Sequence, residues 1–104
     1  MAPPRFDVLG IGNAIVDVVS RADDAFLSKH DMRKGSMTLI DAGQAESLYA
    51  AMPAGQESSG GSVANTCAVA SGLGARTAFL GKVADDQLGA VFRHDIQAAG
   101  VHYP

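Results

Sequence analysis

The sequence lacks the features that mark secreted, membrane-bound or nucleic-acid-binding proteins. Its single cysteine, Cys67, cannot form an internal disulfide. Lys and Arg number 8 against 11 Asp and Glu, so a net charge of −3 leaves no basic surplus for nucleic acid or anionic lipid. The early apolar run from Phe6 to Ile11 is too short for a signal peptide or a membrane span. We therefore expect a cytoplasmic protein that binds neither nucleic acid nor a membrane.

Segments typical of strands and helices alternate along the 104 residues, 47% of which are hydrophobic. This length allows at most one domain. The alternation predicts a parallel α/β sheet, whose open apolar edge suggests the front part of a longer protein. A compact small domain stays open as the alternative. Strands are predicted at 6–11, 14–19, 36–40 and 76–83, and helices from Asp23 or Asp24 to Asp31, Asp41 to Met52, Ser62 to about Leu73 and Asp85 to Ala99.

Three familiar ligand motifs are incomplete. Gly10-Ile11-Gly12 follows a strand, but Ile15 occupies the third glycine position of a dinucleotide-binding fingerprint. Gly81-Lys82 is followed by Val83, where a P-loop needs a hydroxyl. The three histidines and Cys67 lack metal-ligand spacing. We assign no metal site.

The segment from Gly12 to Asp17 places polar groups just beyond the first strand. In an extended chain Asn13, Ile15 and Asp17 point to the same side, and ligands of open parallel sheets bind at this edge. A carboxylate accepts two hydrogen bonds from a vicinal diol, and an amide both donates and accepts. The pattern indicates polyol recognition. The alternative is that Asn13 stabilises a turn and Asp17 is a solvated strand residue.

The segment from Ser59 to Asn65 resembles a ligand loop that leads into a helix. Gly60 and Gly61 let backbone approach a ligand closely. Ser62 can cap the helix, and Asn65 lies one turn further on. Free N–H groups at a helix start favour an oxygen-rich or anionic ligand. The alternative is a flexible linker over 54–61 followed by a capped helix.

These segments occur in a specific order with later motifs: Gly12-Asn13 with Asp17, Gly60-Gly61 with Asn65, Leu73-Gly74-Ala75, and Phe79 to Gly89. In that order and spacing the chain resembles the N-terminal third of the ribokinase (PfkB) family of sugar and nucleoside kinases. The resemblance covers nearly the whole chain and is greatest to the adenosine-kinase-like branch. It implies a ribokinase-like fold, a Rossmann-like parallel sheet flanked by helices, with residues 1–104 as the N-terminal portion of one domain and lid strands at about 14–19 and 36–40.

The resemblance also implies roles for individual residues. Asp17 and Asn65 would bind ribose hydroxyls, and Asn13 would support the pocket. The loop residues Gly60, Gly61 and Ser62 would line the substrate. Met37 and Leu39 on the lid are candidate apolar contacts to a base. Val63 and Cys67 depart from the family's glycine-loop signature, which weakens the assignment of any particular sugar.

The family's catalytic aspartate belongs to a Gly-Ala-Gly-Asp motif, which these 104 residues do not contain. We therefore expect the catalytic base and ATP site beyond Pro104 and no activity from this chain alone. The parent kinase would use ATP and Mg²⁺ to phosphorylate the 5′-hydroxyl of adenosine or a related ribosyl substrate. The alternatives are a ribose- or fructose-class sugar kinase, a non-catalytic nucleotide- or phosphate-binding α/β module, and an interaction protein that dimerises through its lid.

Overall fold

The computed structural model describes residues 3–104. Two compact units divide the chain: the first runs up to Val18 and resumes over Glu57–Pro104, and the second is Val19–Gln56. Within the described residues the elements are β1 (Val8–Ile11), β2 (Ile15–Val19), α1 (Asp24–Lys29), α2 (Ala42–Ala51), β3 (Gln56–Gly60), α3 (Ser62–Gly72), β4 (Thr77–Leu80) and α4 (Gln87–Ala98).

A parallel sheet forms the centre of the first unit. β1 pairs with β4 in a register that runs from Val8 opposite Thr77 to Ile11 opposite Leu80. His102 adds a parallel bridge to Ala78 on the same strand. Parallel strands need a crossover connection, usually a helix, and α4 lies between β4 and the bridging residue His102. The predicted parallel α/β fold is confirmed.

An aromatic cluster fills the core of this unit. Phe79 of β4 and Phe92 of α4 are both 0% exposed, with ring centroids 5.7 Å apart. Tyr103 closes the cluster, 5.5 Å from Phe92 in an edge-on arrangement. Such edge-on packing suits aromatic quadrupoles. The fully buried Ile96 fixes the next turn of α4 against the same core.

Two predicted helix caps are shifted by one residue. Gly61, not Ser62, is the N-cap of α3, because Ser62 is already in the helix and a cap must precede it. Asp86, not Asp85, caps α4, because only a carboxylate three residues before Gly89 reaches its N–H, at 2.8 Å.

β2 and β3 form a second, two-stranded sheet. The strand predicted at 14–19 is therefore present as Ile15–Val19. The flexible linker considered for 54–61 is wrong, because Gln56–Gly60 is a strand. Its sequence, Gln-Glu-Ser-Ser-Gly, contains no β-branched or aromatic residue, so pairing rather than intrinsic propensity holds it extended.

The second unit contains two short helices with side-chain caps. Asp23 accepts a hydrogen bond from the Phe26 N–H at 2.8 Å, and Asp41 and Gln44 form the predicted capping box. The strand predicted at 36–40 is wrong: none of the described strands pairs with this segment, and unpaired strand backbone gains no ladder hydrogen bonds. Within residues 3–104, no helix is long and apolar enough to cross a membrane.

Candidate functional site

The segment after β1 presents alternate residues to solvent. Asn13, Ile15 and Asp17 are exposed, whereas Ala14 and Val16 between them pack against the core. This alternation follows from the period of two in an extended chain. The prediction that Asn13, Ile15 and Asp17 share one face of the chain is confirmed.

The carboxylate of Asp17 lies directly against Gly60 on the adjacent strand. A methyl group on the Gly60 Cα would lie 3.0 Å from the Asp17 Cγ and 3.3 Å from its Oδ1. Any side chain at position 60 would therefore displace the carboxylate. The structure brings together two residues that are far apart in sequence and that were both predicted to contact a ligand.

Gly61 passes equally close to the turn before β2. Its φ of +95° lies in the left-handed region, which L side chains rarely adopt. A methyl group there would also lie 3.1 Å from the Asn13 carbonyl oxygen and 3.5 Å from the Ile15 Cδ1. Both the conformation and the space therefore require glycine, and Asn13 is held beside the start of α3.

The start of α3 completes this arrangement. Gly61 has no side chain, and no side-chain cap accepts a hydrogen bond from the first turn. Ser62 and Asn65 are both exposed in that turn. Uncapped N–H groups at a helix start favour oxygen-rich or anionic ligands. Carboxylate, amide and N–H groups at this place can together bind a polyol. We call Asn13, Asp17, Gly60, Gly61, Ser62 and Asn65 the glycine-loop site.

The residues that depart from the resembled signature pack beneath the glycine-loop site. A methyl group on Gly10 would lie 2.7 Å from both the Val63 Cγ1 and the Cys67 Sγ. One on Gly12 would lie 3.0 Å from the Val63 Cβ. The larger Val63 and Cys67 side chains are thus accommodated because β1 and the residue after it provide glycines.

Met37 and Leu39, the predicted lid contacts, belong to the second unit. Their side chains are 81% and 86% exposed. Neither has a strand around it to hold it in place. Their contact with a base therefore stays a prediction.

Asp95 was missed by sequence reasoning. Its Oδ2 accepts a hydrogen bond from the Ser59 N–H, 2.9 Å away, just before the two loop glycines. Asp95 lies on α4, in no recognised motif and 36 residues from its partner. No local signal in the sequence indicates this contact.

The shortest ion pair within residues 3–104 lies at the other end of the sheet. Asp7 and Arg76 precede the paired strands β1 and β4, and the Arg76 Nη2 is 3.0 Å from the Asp7 Oδ1. The Arg76 N–H also donates to Asp7 Oδ2 at 2.8 Å. Hydrogen bonds from the Arg76 side chain and backbone lower the pKa of Asp7, and the same side-chain bond raises the pKa of Arg76. This pair joins the strands and takes no part in the site.

The parallel sheet of β1 and β4 with helices packed against it defines an α/β protein, and polar residues follow β1 beside a helix that begins after Gly61. The chain matches the pfkB family of carbohydrate kinases over residues 11–103. It belongs to that family. The predicted resemblance to ribokinase-like kinases is confirmed.

Solved structures give the same fold. A probable sugar kinase from Rhizobium etli CFN 42 is 54% identical, with a TM-score of 0.77 over 96% of this chain and 30% of the other. The adenosine kinase from Sinorhizobium meliloti is also 54% identical, with a TM-score of 0.77 over 97% of this chain and 31% of the other. Trypanosoma brucei brucei adenosine kinase is 25% identical, with a TM-score of 0.76 over 95% and 32%.

The chain therefore spans about a third or less of the length of these structures. None of the curated proteins compared with it matches significantly.

Proposed function

We propose that these residues form the substrate-binding part of an ATP-dependent kinase that phosphorylates a nucleoside, with adenosine as the preferred acceptor. Membership of the pfkB family supports a kinase. Two similar structures, from Sinorhizobium meliloti and Trypanosoma brucei brucei, bear the name adenosine kinase. The low cysteine count is in keeping with an enzyme of the cytoplasm.

The observation that carries the proposal is the carboxylate of Asp17 lying against Gly60, beside the glycine-started helix α3. In this proposal Asp17 and Asn65 bind the two ribose hydroxyls, and Asn13 supports the pocket. The backbone at Gly60, Gly61 and Ser62 lines the sugar, because the missing side chains leave room for it. A carboxylate that binds a diol holds it with two hydrogen bonds and so fixes its orientation for transfer.

In this proposal ATP and Mg²⁺ bind outside residues 3–104. Within residues 3–104, no group of three or more His, Cys, Asp or Glu side chains could hold a metal ion. The sequence also contains no Gly-Ala-Gly-Asp motif. We therefore assign ATP, Mg²⁺ and the catalytic base to parts of the protein outside these residues and derive no step through them.

The predicted lid contacts Met37 and Leu39 lie in the second unit. Met37 and Leu39 are large apolar side chains that solvent reaches almost fully. In this proposal they cover the base, which removes their apolar surface from water. Closure of a lid excludes water from phosphoryl transfer.

A sugar kinase of the ribose or fructose class is the second candidate. The Rhizobium etli structure is named a probable sugar kinase at the same 54% identity as the adenosine kinase from Sinorhizobium meliloti. A free sugar offers the same hydroxyls to Asp17, so the glycine-loop site suits both classes of acceptor.

The test is phosphoryl transfer from ATP by the complete gene product, with adenosine, ribose and fructose compared as acceptors. We expect kcat/KM to be highest for adenosine. Asp17→Asn should raise the KM for the acceptor and lower kcat, with a loss in kcat/KM of about tenfold or more. The matched control is Asp24→Asn, which alters an exposed carboxylate in α1 and should leave the kinetics unchanged. Transfer to none of these acceptors would contradict the proposal.

A further inference from the structure

We propose that Asp95 is a positioning residue, which holds the two loop glycines in place for the acceptor substrate. This inference rests on the proposed function and adds a residue outside the glycine-loop site. Its basis is the contact between α4 and β3: Asp95 Oδ2 accepts a hydrogen bond from the backbone N–H of Ser59 at 2.9 Å. Ser59 directly precedes Gly60.

The donor is a backbone group in a strand with one described neighbour. β3 pairs with β2 in a two-stranded sheet, which leaves its other edge without a strand partner within residues 3–104. A part-buried backbone N–H needs an acceptor. The Asp95 carboxylate supplies it, and a hydrogen bond to an ionised acceptor is stronger than one between neutral groups.

The acceptor is fixed by the core. Asp95 directly precedes Ile96, which is 1% exposed, and Phe92 one turn earlier is 0% exposed. The Asp86 carboxylate caps the helix that carries them. The Asp95 side chain therefore extends from a rigid helix, and β3 is tied to the aromatic core through it.

A displacement of β3 would act directly on the site. Gly60 lies against the Asp17 carboxylate. Gly61 lies beside the Asn13 carbonyl oxygen and is the N-cap of α3. Loss of the hydrogen bond between Asp95 and the Ser59 N–H would let β3 move immediately before these contacts. The other Asp95 oxygen, Oδ1, lies 3.6 Å from Nδ1 of the exposed His94, so Oδ2 is the Asp95 oxygen that contacts β3.

The experiment compares three variants of the complete gene product. Asp95→Ala removes the acceptor, whereas Asp95→Asn keeps a carbonyl oxygen that can accept from the Ser59 N–H. His94→Ala is the control, because it changes the exposed neighbour and leaves Oδ2 in place. Acceptor KM and kcat are measured with ATP and adenosine, and amide hydrogen exchange is followed at residues 59–61.

We expect Asp95→Ala to raise the acceptor KM about tenfold with kcat within about twofold, and to speed exchange at residues 59–61. Asp95→Asn should restore both values to within about threefold of the wild type, and His94→Ala should change neither. Restoration by the amide separates loss of this one hydrogen bond from general destabilisation.

Wild-type KM and wild-type exchange in Asp95→Ala would overturn the proposal. Equal defects in the Ala and Asn variants would also overturn it, because the shape of the side chain rather than its acceptor would then matter. Absence of phosphoryl transfer by the wild-type protein would refute the proposed function. In that case unchanged amide exchange at Ser59 in Asp95→Ala would refute the hydrogen bond between Asp95 and Ser59.

Discussion

Replacement of Gly10 by alanine tests whether the packing of β1 against α3 requires a residue without a side chain at this position. Gly10 lies in β1 and is buried, and its backbone conformation is one that alanine adopts readily. A side chain at position 10 is therefore disfavoured only by steric contact with neighbouring atoms. An alanine Cβ would lie 2.7 Å from the Val63 Cγ1 and 2.7 Å from the Cys67 Sγ, both in α3.

The expected cost follows from these two contacts. Carbon atoms in contact are separated by about 3.5–4.0 Å, so the helix must move away by roughly an ångström. Val63 is β-branched and cannot rotate freely, and Cys67 is 1% exposed and enclosed. Overpacking of this kind typically costs about 1–3 kcal/mol, of which the lower unfolded-state entropy of alanine recovers about 0.4–1 kcal/mol. We expect Gly10→Ala to lower the free energy of unfolding by about 1–2 kcal/mol.

Urea denaturation followed by circular dichroism measures this change. Gly72→Ala is the matched control: Gly72 ends α3 with no atom near its added methyl, and alanine there should be neutral or stabilising by up to about 1 kcal/mol. In a Val63→Ala background the penalty of Gly10→Ala should shrink by at least about 0.5 kcal/mol. Equal stability of the Gly10→Ala and Gly72→Ala proteins would refute the packing argument.

Three further predictions concern the site, the ion pair and the core. Gly60→Ala should push the Asp17 carboxylate aside and raise the acceptor KM about tenfold or more, measured by steady-state kinetics; an unchanged KM would remove Asp17 from the site. The pKa of Asp7 is lowered by Arg76, so this pair stabilises the fold above the ordinary pKa of 3.8 and the contribution disappears as the pH falls through the lower folded pKa. Thermal melts should therefore show that Asp7→Asn is destabilised at pH 7 and approaches the wild type once the pH falls below the lowered pKa of Asp7, and a difference that does not change with pH would contradict this. Phe92→Ala should cost about 3–5 kcal/mol in urea denaturation because it opens a cavity between two aromatic rings, and a cost below about 1 kcal/mol would contradict the described core.

Local patterns predicted the local structure well. Asp41 and Gln44 are three residues apart, and that spacing alone is enough to define the capping box of α2. The alternation of Asn13, Ile15 and Asp17 likewise predicted one exposed face, because an extended chain has a period of two. In both cases the residues that decide the structure are neighbours in sequence.

Structure that depends on distant partners could not be predicted in this way. Gln56–Gly60 is a strand because β2 pairs with it and Asp95 accepts from Ser59, although its residues have little β propensity. Residues 36–40 have the composition of a strand but no described partner. Composition therefore indicated a linker where a strand forms and a strand where none of the described strands forms.

The candidate site shows the same division. Asn13 and Asp17 predicted polyol recognition, and Gly60 and Gly61 predicted close approach of backbone to a ligand, but the contact of Asp17 with Gly60 depends on the pairing of β2 and β3. Asp95 had no local signal at all, since an aspartate on a helix surface is ordinary.

The placement of the second unit between two paired strands bears on how the protein can evolve. β2 and β3 are adjacent in one sheet, and residues 20–55 form the whole excursion between them. Closing a flexible loop costs only about 0.6 kcal/mol more for each doubling of its length. Insertions and deletions in this excursion are therefore cheap for the sheet that carries the glycine-loop site. Lineages can therefore lengthen, shorten or replace the excursion while β2 and β3 keep their register.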